Sequence, residues 1–199
     1  MRYILSFFAL VFAGSLSLGQ SFEEDNQKFR DHLNNDFRDP SKSPLEEVDL
    51  KEFKEIPFFE LNSRYKVKGI FTPETNPRMF RMETTTSRKP LYTTYGTIEF
   101  ELDGSLFVLE VYQNQELKKQ EGYEDYLFIP FTDETNGEST YGGGRYLEFR
   151  IPENDTVFID FNKAYNPYCA YSQRYSCPIV PSQNHITTKI EAGVKYHKH

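Results

Sequence analysis

Tryptophan is absent from this chain, and cysteine occurs only twice. Two thiols are too few for a disulfide-dense small scaffold or for a structural zinc site built on four thiolates. Positive charge is also in deficit, with 23 Lys and Arg against 30 Asp and Glu and a net charge of −7. Acidic chains do not gather phosphate backbones, so nucleic acid is not an expected partner. After residue 20 no apolar run approaches the roughly 20 residues of a spanning helix, so no membrane insertion is expected beyond the leader. Internal repeats and low-complexity tracts are missing as well.

What is present begins with a leader. Met1-Arg2-Tyr3 is followed by "ILSFFALVFAGSLSL", then by small residues and an abrupt acidic turn at "QSFEED". One positive charge, an apolar stretch and small residues near Gly19 describe a secretory signal peptide over 1–19, cleaved after Gly19 or Gln20. No cysteine lies near that point, which excludes a lipid-modified cysteine anchor. An exported protein, periplasmic or extracellular, is expected. The remainder is long enough for one domain with a real core. The whole chain's 14 Tyr and 18 Phe favour strands.

Helical signals come first, over 20–56. Ser21 and Glu24 have the spacing of a capping box, and Phe22, Phe29, Leu33 and Phe37 then recur at helical intervals. Ser43-Pro44-Leu45-Glu46 reads as the start of a second short helix with Pro44 in its first position and an apolar side of Leu45, Val48 and Phe53. From 57 to 196 the period changes to two. Tyr65, Val67 and Phe71 alternate with lysines, and Ile98, Phe100 and Leu102 run into Asp103-Gly104, the residues a tight hairpin prefers. That turn sets Leu102 opposite Ser105, Phe100 opposite Phe107 and Ile98 opposite Leu109. Further alternating sets are Leu127, Ile129 and Phe131; Leu147, Phe149 and Ile151; Val157, Ile159 and Phe161; and Ile186 to Ala192. The reading is a mainly β fold, an antiparallel barrel or sandwich of about seven to nine strands with an N-terminal helical segment, forming one globular unit.

Phase singles out two charges. Asp133 shares the parity of Leu127, Ile129 and Phe131, and Arg145 that of Leu147 and Phe149. With Phe131 opposite Leu147, Asp133 would stand opposite Arg145, and an ion pair is expected because an inward charge is costly alone. The pair either closes one end of the core or marks a polar pocket at a barrel mouth. "TYGGGRY" (140–146) lacks the Gly-Lys-Ser/Thr of a phosphate-cradling loop and reads as a turn needing positive φ.

Three stretches, "PFTDETNGESTYGGGRYLEF" (130–149), "FIDFNKAYNPYCAYSQRYSCPIVPSQNHI" (158–186) and "IEAG" (190–193), resemble the prokaryotic family catalogued as domain of unknown function 1684. The early "SPL" (43–45) fits its pattern too. The chain departs from that pattern at Pro178-Ile179-Val180-Pro181 and at Gln183, where the family has paired prolines and a glutamate. The resemblance implies no activity. It does draw attention to Asp160, Asn162, Tyr168 and Asn184, which join Asp133 and Arg145 as ligand-binding candidates. Asn166, before Pro167, reads as a turn residue.

Cys169 and Cys177 stand in an expected oxidising compartment with no other thiol to pair with, so a disulfide stapling the loop after "DFN" is expected. Free core thiols, or a Cys/His pair with His185 as base, are the alternatives. The spacing of Cys169, Cys177 and His185 fits no zinc pattern, so no metal or cofactor is expected. The functional expectation is a small-ligand-binding β-barrel with a polar pocket, its partner a small polar ligand. The alternatives are a hydrolase using carboxylates or the Cys/His pair, and a structural or interaction protein.

Overall fold

The computed structural model describes residues 14–196, with side chains from Phe22 onward. The expected leader over 1–19 thus lies largely outside the described residues. Helix α1 spans Gly14–Arg38. Ser21 falls inside it, so the Ser21/Glu24 capping box does not mark its start. Leu33 and Phe37 turn inward against Ile56, Phe58 and Val194, as their spacing required. Helix α2, Glu47–Glu52, begins after Glu46 rather than at Pro44. The Ser43 hydroxyl instead turns the chain locally by accepting the Leu45 amide at 3.2 Å. Leu45 and Phe53 pack inward, but Val48 is 70% exposed and leaves the expected apolar side.

Eight strands follow: β1 Lys66–Pro73, β2 Met79–Arg81, β3 Leu91–Leu102, β4 Ser105–Asn114, β5 Tyr126–Asp133, β6 Arg145–Arg150, β7 Thr156–Asp160 and β8 His185–Ile186. They form one sheet in the order β6-β5-β4-β3-β1-β7, with β2 added beside β3 and β8 beside β5. The pairings are antiparallel except β5–β8. The sheet curls into a half-barrel around Val67, Ile98, Phe100, Leu109, Ile129, Phe131, Ile159 and Phe161. Strands β6 and β7 are neighbours in sequence but stand at opposite ends of the strand order, so the barrel has an open seam between them. The alternating set from Ile186 to Ala192 is only partly a strand. Beyond Ile186 it runs as irregular chain, although Ile190 and Ala192 are fully buried.

The β3–β4 hairpin has the expected register, with Leu102 opposite Ser105, Phe100 opposite Phe107 and Ile98 opposite Leu109. Asp103 and Gly104 hold φ of 54° and 76°, the left-handed pair that matches strand twist. A Cβ on Gly104 would meet nothing within 4 Å, so only backbone strain opposes substitution. Gly104→Ala should therefore cost about 1 kcal/mol in urea unfolding. A neutral result would show that the turn relaxes to another type.

Candidate functional site

Asp133 and Arg145 do meet. Arg145 Nη2 lies 2.7 Å from Asp133 Oδ2, and both side chains are wholly buried. The register differs from the expected one: Phe131 stands opposite Arg145, and Ile129 opposite Leu147. The pair is thus diagonal, reached because the arginine is long enough to lean along the strand over the Phe131 ring, 5.2 Å from its centroid. Arg145 also donates to the carbonyls of Ile190 (2.8 Å) and Ala192. Asp133 Oδ1 accepts the Thr135 amide and hydroxyl and the Ile190 amide. Desolvation lowers the guanidinium's proton affinity, and the Asp133 charge opposes that fall. Together the two residues clamp the irregular 188–192 segment onto the barrel.

Asn162 and Asn184 each use a carboxamide as a substitute strand. Asn162 accepts the Asn62 amide at 3.0 Å and donates to the Asn62 carbonyl at 2.9 Å. Asn184 accepts the Glu110 amide at 2.8 Å and donates to the carbonyls of Glu110 (2.9 Å) and Pro130 (2.7 Å). Tyr112 and Phe128 pair directly across β4 and β5, so Glu110 and Pro130 would be the next partners along. The Asn184 amide enters where those strands part. An amide carries both donor and acceptor, so it can complete a broken ladder. Tyr168 packs edge-on against Phe37 and Tyr175, and burial pushes its phenol up. Asn166 donates to the Tyr171 hydroxyl at 3.1 Å, a tertiary contact beyond its turn.

The expected disulfide is not formed: Cys169 and Cys177 are free thiols. The Cys169 amide donates to Cys177 Sγ at 3.2 Å. The loop's return is held by pairing with the 83–85 segment instead. Thr85 N donates to the Cys177 carbonyl at 2.9 Å, Cys177 N to the Thr85 hydroxyl at 3.1 Å, and Ile179 N to the Glu83 carbonyl at 2.9 Å. His185 engages Thr132 through Nδ1 and Glu134 through Nε2, so both ring nitrogens already have partners on the β5–β8 side. Among the described residues, no three of His, Cys, Asp and Glu are gathered to hold a metal ion.

A cavity of about 300 Å³ opens in the seam. Leu147, Glu148 and Phe149 of β6 and Phe158, Ile159 and Asp160 of β7 line it. Consecutive residues of both parities can share one wall only at strand edges, since adjacent side chains point to opposite faces. Ile129 forms part of the floor, with Lys66, Lys163 and Asp25 around it. Helix α1 lies over this seam. Asn26 donates to Asp160 at 2.9 Å, Asp25 pairs with Lys163 at 2.6 Å, and Phe22 sits 5.7 Å from the Lys66 ammonium. Asp160 Oδ1 accepts from the amide and side chain of Asn162. Of the candidates named from sequence, Asp160 alone lines this cavity.

Two charged groups at the mouth differ from the rest. Lys66 has no carboxylate within ion-pair distance among the described residues. Glu148 keeps solvent contact, yet protein crowding raises its carboxyl above its ordinary value; Arg150, His32 and a Tyr126 hydrogen bond offset part of this. Sequence reasoning missed both. Each sits on the polar side of an alternating strand, which reads as ordinary solvent-facing surface.

The family catalogued as protein of unknown function DUF1684 matches residues 51–195. The chain belongs to the DUF1684 family. The match takes in the seam strands, the Asp133–Arg145 clamp and both cysteines of this DUF1684 protein, and begins beyond α1. A solution NMR structure of an uncharacterised protein from Haloarcula marismortui is similar in fold, with a TM-score of 0.71 and 30% identity. That similarity covers 90% of the DUF1684 chain described here and 97% of the archaeal one. No curated protein matches this chain.

Proposed function

We propose that this protein binds a small molecule with an apolar body and an anionic head in the seam between β6 and β7. The observation that carries the reading is the cavity itself, whose floor is apolar at Ile129, Leu147 and Ile159 and whose mouth holds Lys66, which has no ion-pair partner among the described residues. A concave apolar site with a few polar groups is the usual form of a small-ligand site. Lys163 and Asp160 are already occupied by Asp25, Asn26 and Asn162, which leaves Lys66 to meet a negative head. Glu148, whose carboxyl is raised above its ordinary value by desolvation, stands beside that head at the cavity's edge. The ligand's chain would replace water against the floor, which contributes favourably in proportion to apolar area buried.

Hexanoate is a suitable probe, with hexylamine as the charge-reversed control. In an NMR titration, hexanoate should shift the methyl signals of Ile129, Leu147 and Ile159, and Lys66→Met should abolish most of that response. Equal responses to the amine, or none to the acid, would refute the reading.

A further inference from the structure

The outward face of β7, β1, β3 and β4, on the side away from the core, departs from the pattern of a solvated sheet. An antiparallel sheet with one face packed and the other wet carries polar residues on the wet face. Here four large apolar side chains sit at outward positions: Leu106 is 64% exposed, Phe158 58%, and Ile70 and Val108 47% each. Strand register gathers them into two adjacent rows. In one row Thr156 of β7 stands opposite Ile70 of β1, Ile70 opposite Glu99 of β3, and Glu99 opposite Val108 of β4. In the next row Phe158 stands opposite Lys68 and Glu101 opposite Leu106. Lys68 adjoins Glu101 there, one step beyond the Gly69–Phe100 pair. Single exposed apolar residues are ordinary, but a contiguous patch mixed with charge marks an interaction surface.

The charges of the patch are sorted by strand. Lysine stands on β1 and glutamate on β3, with apolar residues to either side on β7 and β4. Lys68, Glu99 and Glu101 make no ion pair among the described residues, although Lys68 and Glu101 are cross-strand neighbours. A partner of one sign would be repelled by half of such a surface, whereas its own image complements it. Consider a two-fold axis parallel to the strands and midway between β1 and β3. It lays each β1 over the partner's β3 and each β7 over the partner's β4. Lys68 then meets the partner's Glu101, Phe158 the partner's Leu106, and Thr156 the partner's Val108. Ile70 faces the partner's Glu99, whose carboxylate leans to Lys68 two residues along. An axis across the strands would instead set lysine on lysine and glutamate on glutamate, which repulsion disfavours.

We propose that this face joins two copies of the chain in an isologous dimer, with β7, β1, β3 and β4 of each copy stacked face to face about an axis parallel to the strands. Stacked sheets keep their strands within about 30° of each other at a separation of about 10 Å, and this axis produces that arrangement. Each contact occurs twice by symmetry, so one patch yields two Lys68–Glu101 pairs and two Phe158–Leu106 pairs. The outer face of a half-barrel is convex, which confines contact to these rows. The interface therefore belongs with the small, transient class that buries less than about 1,200 Å² in total. Dimerisation does not rest on the seam ligand, since of these residues only Phe158 also lines that cavity.

The test is sedimentation velocity of the full chain from about 10 μM to about 1 mM, the range in which weak contacts form. The average mass should rise with concentration from one chain towards two. Lys68→Glu and Glu101→Lys each set like charges across the axis, and each should weaken association by about tenfold or more. Mixed in equal amounts, these two variants should associate as well as the unaltered chain, because opposite signs then meet at both symmetric contacts. That recovery also shows that each variant is folded. Leu106→Asp, at an exposed position, should leave the chain monomeric with an unchanged circular dichroism spectrum. An unaltered chain that stays monomeric at the highest concentration would overturn the proposal without recourse to any variant. A dimer that tolerates Leu106→Asp would place the contact on another face. A mixture no better associated than either charge variant alone would refute the pairing of β1 with the partner's β3.

Discussion

Arg145→Met should destabilise the fold by about 3–5 kcal/mol, the range for removing one partner of a buried ion pair. The replacement fills much of the same volume, so the loss is mainly electrostatic. It leaves the Asp133 carboxylate without its counter-charge and the carbonyls of Ile190 and Ala192 without their donor. The double variant Arg145→Met/Asp133→Leu should recover part of the loss, because no buried charge is then left alone. Chemical unfolding followed by circular dichroism measures both. A loss below about 1 kcal/mol for the single change would mean that water reaches the carboxylate.

Asn184→Ala is expected to cost about 3 kcal/mol, since each buried backbone group left unpaired costs about 1–3 kcal/mol. The groups are the Glu110 amide, the Glu110 carbonyl and the Pro130 carbonyl, in a position with no solvent exposure. Asn184→Asp is the informative companion. It keeps an acceptor for the Glu110 amide but turns an oxygen towards two carbonyls, so it should be no better tolerated than alanine. Amide exchange at Glu110 should accelerate in both variants. Unchanged exchange there would show that β4 and β5 can close on each other without the inserted amide.

The hairpin was legible because two independent signals coincide at Asp103-Gly104, the turn residues and the alternation on both sides. The Asp133–Arg145 pair was legible only in part. Parity excludes a one-residue slip, which would send every side chain to the other face, but a two-residue slip preserves it. That is the slip found here, and the reach of arginine allows the pair to form regardless. The thiols were recognisable as neighbours, yet spacing cannot say whether two sulfurs bond or stay free. The seam was not legible at all. It exists because β6 and β7, joined by a short loop, take opposite ends of the sheet, and strand order is a property of the whole fold. Lys66 and Glu148 gain their interest only from that order.

The position of α1 bears on how the chain avoids sticking to itself. Strand edges with unpaired backbone groups are templates for other chains, and natural proteins protect them by covering, charging or shortening them. Here the cover is drawn from the beginning of the polypeptide, whereas the edge it meets comes late: Asn26 and Asp160 are 134 residues apart. Contacts so distant in sequence form slowly. A newly made chain is therefore expected to expose the lips of the sheet before α1 covers them. Refolding yield of a truncated 39–199 chain is accordingly expected to fall at lower protein concentration than that of the full chain, and an unchanged yield would show that α1 does not protect the edge.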